Sequence, residues 1–127
     1  MQKQLFITVF IWFAAASAFA QGGKAEPRRI QFADGASSIR LTGRLSTAQE
    51  MEYVFAAKKG QTVTLRMVNT SLFDYRVFNE EFDFETEYDS SPSNTFEIPE
   101  TGDYLLFVRK KMMRPRTATF LLLLTIK

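Results

Sequence analysis

The chain contains no cysteine and no histidine, and its one tryptophan, Trp12, lies within the first twenty residues. The missing cysteine excludes a disulfide framework, a thiol nucleophile and a thiolate metal site, so stability must come from packing. The missing histidine removes the commonest general base and the usual transition-metal ligand. Neither a Ser-His-Asp nor a Cys-His catalytic site can be assembled from these residues. An enzyme built on this chain would have to use paired carboxylates or a lysine base. Proline is also scarce, with four in 127 residues.

What is present begins with a leader. Lys3 supplies a positive start, Leu5 to Ala16 form an apolar run, and Ala18-Phe19-Ala20 before Gln21 is a small-x-small cleavage site. Residues 1–20 are therefore expected to be a secretory signal peptide and the exported protein to start near Gln21. A membrane anchor is the competing reading, but the apolar run is short for a bilayer span. No cysteine follows the cleavage site to carry a lipid. The rest of the chain has no second apolar stretch of spanning length, so no stable membrane insertion is expected after cleavage. These features predict a periplasmic protein. About a hundred residues remain, enough for one domain around one core. Residues 21–28, with Gly22, Gly23 and Pro27, read as a flexible lead, and 29–127 as the domain.

The charges nearly balance, with 16 basic and 14 acidic side chains, but they are segregated. Glu80, Glu81, Asp83, Glu85, Glu87 and Asp89 form a run without a base. Arg109, Lys110, Lys111, Arg114 and Arg116 form a run without an acid. Such separation can steer a charged partner, although a charge run can equally be a solvated face. With secretion and so small a net charge, nucleic acid is not an expected partner.

Hydrophobic residues recur with a period of two, the signature of strands with one buried face. Ile30 and Phe32 open the series. Ile39, Leu41 and Leu45 follow within Ser38 to Ser46, then Tyr53 and Phe55, then Val63, Leu65 and Met67. Tyr75 and Val77 suggest a fifth strand, Phe96 and Ile98 a sixth, Tyr104 to Val108 a seventh and Thr119 to Ile126 an eighth. Asp34-Gly35, Lys59-Gly60 and Thr101-Gly102-Asp103 punctuate them as turns. About eight short strands predict an all-β fold, an antiparallel, jelly-roll-like β-sandwich. The seventh and eighth are apolar on both faces and should be central in their sheets.

Three segments in order, Phe32-Ala33-Asp34-Gly35-Ala36-Ser37-Ser38, Tyr53-Val54-Phe55-Ala56-Ala57-Lys58-Lys59-Gly60-Gln61-Thr62-Val63 and Ile98-Pro99-Glu100-Thr101-Gly102-Asp103-Tyr104, resemble the periplasmic inhibitors of goose-type (g-type) lysozyme. The resemblance runs from about Arg29 to the closing Thr125-Ile126-Lys127. Each segment alone occurs in many secreted jelly-roll modules; their order and spacing select the narrower family. On the residues themselves, Tyr53, Phe55 and Tyr104 read as inward anchors, the two phenols needing a partner or solvent.

The resemblance implies a non-enzymatic inhibitor whose loops at one end of the sandwich enter the cleft of a muralytic glycosidase. It places arginines on the loop between the last two strands, here Arg109 to Thr117. Arg114 and Arg116 are the expected inserting residues, with Met112 and Met113 as adaptable apolar flanks, Pro115 stiffening the tip, and Arg109 and Lys111 completing the basic surface. The second contact, on the loop between the second and third strands, is an aromatic residue in the family and Ala48 here. The basic loop is also a few residues shorter than the family pattern. No cofactor or metal is implied.

Other functions remain open on the residues. From Asp83 to Asp89 acids occupy every second position, which as a strand gives one acidic face. Calcium could bind there, but the run lacks the glycine and ordering of an EF-hand loop, and a solvated edge that discourages strand addition is the plainer reading. A hydrolase using Asp83 and Glu87 ranks last, since neighbouring acids in one segment do not create the separation that glycoside hydrolysis requires. A cell-wall carbohydrate-binding or accessory module would need an aromatic platform, for which Tyr75, Phe78 and Tyr88 are the candidates.

Overall fold

The computed structural model of the chain describes residues 27–69 and 71–127. The expected leader, its cleavage site and most of the expected lead lie outside the described residues. No helix among the described residues is long and apolar enough to cross a membrane.

Nine strands run in chain order: β1 (Arg28–Arg29), β2 (Ser38–Ser46), β3 (Glu50–Ala57), β4 (Thr62–Met67), β5 (Phe73–Asn79), β6 (Phe84–Glu85), β7 (Ser93–Glu97), β8 (Gly102–Lys110) and β9 (Thr117–Ile126). They form a five-stranded sheet ordered β1-β3-β8-β5-β6 and a four-stranded sheet ordered β2-β9-β4-β7. All pairings are antiparallel except β1 with β3. The expected all-β sandwich is thus the observed fold, and β8 and β9 are central, each paired along both edges, β8 with β3 and β5 and β9 with β2 and β4. The opposite sheet covers one face of each, and on the other face Leu105, Phe107, Leu121 and Leu123 are only half-buried among the flanking strands.

The core follows the alternation. Tyr53 and Phe55 of β3, Val63, Leu65 and Met67 of β4, Tyr104, Leu106 and Val108 of β8, and Phe120, Leu122 and Leu124 of β9 are all buried. Phe55 stacks on Tyr104 within the first sheet at 5.8 Å, and Phe73 meets Phe120 across the sandwich edge-on at 5.6 Å. Both geometries suit the charge distribution of aromatic rings. The Tyr104 hydroxyl donates to the Glu100 carbonyl at 2.5 Å and that of Tyr53 to Met51 Sδ at 3.1 Å, so the anchors' polar ends are satisfied. Gly43 is required where β2 passes over Phe120. A Cβ there would lie 2.9 Å from Cε2 of that ring.

Three expectations need correction. The first strand is Arg28–Arg29, not a stretch through Phe32; Ile30 only continues it, donating its N–H to the Val54 carbonyl at 2.9 Å, before the chain leaves for the Asp34-Gly35 turn. Ile98 is buried but lies beyond β7, held by backbone bonds with Gly60 and Gln61. The acidic stretch does not form one strand with an acidic face. Asp83 has a left-handed backbone (φ 54°), Phe84–Glu85 alone form β6, and Asp89 returns as an isolated bridge to Tyr75. The aromatic residues between the acids face inward across this break. Phe82 and Phe84 turn in to Tyr104, at 6.2 and 5.6 Å, and Phe84 also meets Phe96 at 5.5 Å, closing one edge of the sandwich.

A loop end held together by Lys110

The topology brings two loops side by side. β2 and β9 are neighbours in one sheet, β3 and β8 in the other, so the β2–β3 turn and the β8–β9 loop cross between the sheets at the same end. The register fixes this, with Ser46 opposite Thr117 and Glu50 opposite Arg109. The turn is Ser46-Thr47-Ala48-Gln49. The Gln49 side-chain carbonyl accepts from the Ser46 N–H at 2.7 Å, and the Gln49 N–H donates to the Ser46 carbonyl at 2.9 Å. Ala48 takes the left-handed conformation (φ 69°) that lets the chain reverse.

Backbone bonds then tie the turn to the loop. The Thr47 N–H donates to the Arg116 carbonyl at 2.8 Å, the Ala48 N–H to the Lys110 carbonyl at 3.0 Å, and the Lys110 N–H to the Gln49 carbonyl at 3.0 Å. A fourth bond comes from the β4–β5 loop, where the Leu72 carbonyl accepts from the Lys111 N–H at 2.9 Å. Thus Ala48 and the basic loop, paired only by resemblance in the sequence, are neighbours in space.

Beneath the loop lies Lys110, which is fully buried. Its ammonium donates to the Lys111 carbonyl at 2.9 Å and the Met113 carbonyl at 2.7 Å. No carboxylate pairs with it among the described residues. The basic run conceals this difference among its members. Period two from Tyr104, Leu106 and Val108 places Lys110 inward, and that alternation is the signal by which the sequence could have shown it.

Above Lys110 the loop is solvent-facing. Met112 is 82% exposed and Met113 46%, and Arg114, Pro115 and Arg116 are exposed, with a cis peptide between Arg114 and Pro115. Lys111, Arg114 and Arg116 make no ion pair with the described chain. A concavity of about 480 Å³ opens between the loops, lined by Ala48, Arg109, Lys110, Lys111 and Met112.

Arg109 differs from the tip arginines. On the outer face of β8 it donates from Nε and Nη2 to the two Asp74 oxygens at 3.1 and 2.9 Å, and its guanidinium lies 3.6 Å from the centre of the Tyr88 ring. The hydrogen bond to Asp74 chiefly raises its pKa further. The Tyr88 hydroxyl donates in turn to Glu50. Burial first, and then that bond and the Glu50 charge, push the phenol up to about 12 against the opposing pull of Arg109 and Arg76. Asp74, Tyr88 and Glu50 thus form a network on the flank of the loop end that composition and spacing did not reveal.

The remaining candidates sit elsewhere. Tyr75 cannot belong to an aromatic platform: it is a core residue, 1% exposed, and its hydroxyl donates to the Ser91 carbonyl at 3.0 Å. Phe78 and Tyr88 are partly buried and share Arg76, whose guanidinium lies 5.0 and 5.5 Å from their ring centres. Asp83 and Glu87 are exposed, one in the turn before β6 and one in the coil after it. Asp89 accepts from the Ser91 N–H and hydroxyl at 2.8 and 2.6 Å, which makes it a local turn acceptor. Among the described residues no three acidic side chains converge as a metal site. The segments carrying the family resemblance meet at the opposite end, where Phe32, Ala57, Lys58, Gln61, Thr101 and Ile126 help to line a concavity of about 420 Å³.

Taken together, the described residues define a small two-sheet β-sandwich with a tied pair of loops, one of them basic, at one end. Its fold is that of the PliG proteins. PliG of Aeromonas hydrophila, a periplasmic lysozyme inhibitor of g-type lysozyme, matches with a TM-score of 0.67 and 26% identity over 80% of this chain and 96% of its own. A mutant of the Escherichia coli PliG, described in the same words, matches at 0.65 and 24% identity, covering 80% and 97% of the two chains. Salmonella Typhimurium PliG matches at 0.67 and 21%, covering 82% and 100%. No family model matches the sequence, and no curated protein does.

Proposed function

We propose that this protein is a periplasmic inhibitor of g-type lysozyme, without catalytic activity of its own, and that the β8–β9 loop enters the enzyme's substrate cleft. The observation that carries the proposal is the exposed basic tip. Arg114 and Arg116 stand out from a loop that contains no acid, and their side chains make no ion pair among the described residues. The structural likeness to PliG supports the choice of target.

The chemistry fits. A glycosidase cleft holds catalytic carboxylates, and a guanidinium pairs bidentately with a carboxylate in a contact that strengthens as water leaves. Arg114 and Arg116 supply the charge. Lys111 and Met113 extend the contact around them, Ala48 offers a small, close-approach surface on the neighbouring turn, and Arg109 supports the flank through Asp74 and Tyr88. Backbone ties between the loops reduce the ordering cost on association.

The test is a cell-wall clearing assay in which the purified exported chain is titrated against goose-type lysozyme, with chicken-type and invertebrate-type enzymes in parallel. Dose-dependent protection from the goose-type enzyme is expected. Protection from none of the three, with retention of the protein on purified cell wall, would replace inhibition by the alternative of a cell-wall-binding accessory module.

A further inference from the structure

We infer that Lys110 is a positioning residue: its buried ammonium holds the β8–β9 loop in a binding-ready shape at some expense to the stability of the fold. Its functional half rests on the inhibitor reading above. Its structural half does not.

A fully buried lysine is an unusual choice for the last core position of a central strand. Desolvating an ammonium is costly, and the partners on hand are two neutral carbonyls, those of Lys111 and Met113. A Leu or Met would fill the same volume without that cost. The lysine does what neither could. A β-strand cannot direct the loop that leaves it, but the ammonium gathers two carbonyls of that loop onto the end of its own strand. The backbone of the same residue exchanges bonds with Ala48 and Gln49. Lys110 therefore fastens the basic loop from below and the β2–β3 turn from the side. Arg114 follows Met113, the last residue it holds. The arrangement places stability and binding in opposition, as happens where a site is preorganised at the cost of the scaffold.

Lys110→Met separates the two halves. The fold should keep its melting temperature or gain a few degrees, since an apolar side chain replaces a buried charge of similar length. Amide exchange at Met113 and at Thr47, whose acceptors are Lys111 and Arg116, should quicken roughly tenfold or more, while core amides of β8 and β9 stay unchanged. Inhibition of goose-type lysozyme should weaken by roughly tenfold to a hundredfold, the scale of lost hydrogen bonds to a charged donor. Unchanged exchange in the loop would overturn the positioning role, as would faster exchange with undiminished inhibition. A marked fall in melting temperature would show Lys110 to be structural. The unmutated protein gives an independent check that does not depend on the variant folding. Its Thr47 and Met113 amides must exchange far more slowly than those of the exposed Asp34-Gly35 turn, and equal rates would end the proposal. Should the unmutated protein inhibit no lysozyme while the variant still loosens the loop, the inhibitor reading falls and the structural half stands.

Discussion

Arg109 and Asp74, thirty-five residues apart in sequence, face each other on β8 and β5 and are joined by two nitrogen–oxygen contacts of 3.1 and 2.9 Å. The carboxylate is the more buried partner, with its side chain 13% exposed against 40% for the arginine. Asp74→Ala should lower stability by about 1–2 kcal/mol, the range for a lost charge-assisted hydrogen bond at a partly screened site. Urea unfolding measures the change. Since the tip is fastened by other residues, inhibition should change much less than it does on altering Arg114 and Arg116.

The four tyrosines make the fold sensitive to alkali. Burial raises the phenol pKa of Tyr53, Tyr75, Tyr88 and Tyr104, and those of Tyr75 and Tyr88 reach about 12. A group whose pKa is higher in the folded state adds stability that is complete below its unfolded value and is lost as pH rises through the folded one. Stability should therefore hold to about pH 10, the unperturbed tyrosine value, and decline from there towards pH 12. Phenolate absorbance should rise together with unfolding. A simple titration at the unperturbed value, with the fold intact, would show that the hydroxyls are not held as described.

Ala48 carries a conformational penalty that glycine would not. With φ at 69°, the residue sits where a Cβ crowds the following carbonyl. Ala48→Gly should raise stability by about 1 kcal/mol, and Ala48→Val should lower it by at least as much. Thermal unfolding of the three proteins tests the order.

Much of the fold was legible because one rule governs it. Alternation marked β2, β4, β8 and β9 closely, and apolar residues on both faces of β8 and β9 marked them as central. Where alternation failed, side chains had a different task. Phe82 and Phe84 alternate with acids as a strand would, and their rings close the sandwich edge, yet the left-handed backbone at Asp83 divides the segment into a turn, a two-residue strand and a bridge. At the loop end, the basic run from Arg109 to Arg116 was visible as charge, and Arg114 and Arg116 were singled out within it only by the family resemblance. Lys110 was hidden among them because composition counts a buried and an exposed lysine alike. The Arg109–Asp74 pair and the bond from Tyr88 to Glu50 join distant segments, and only strand order and register bring them together.

The most direct measurement is the inhibition of goose-type lysozyme by the unmutated chain and by the double variant Arg114→Glu, Arg116→Glu, with melting temperatures of both. Both side chains are exposed and make no ion pair within the described chain, so the variant should melt within a few degrees of the parent. The predicted result is loss of inhibition by at least a hundredfold, since like charges would then meet in the cleft. Full inhibition by the double variant, at an unchanged melting temperature, would contradict insertion of the basic loop.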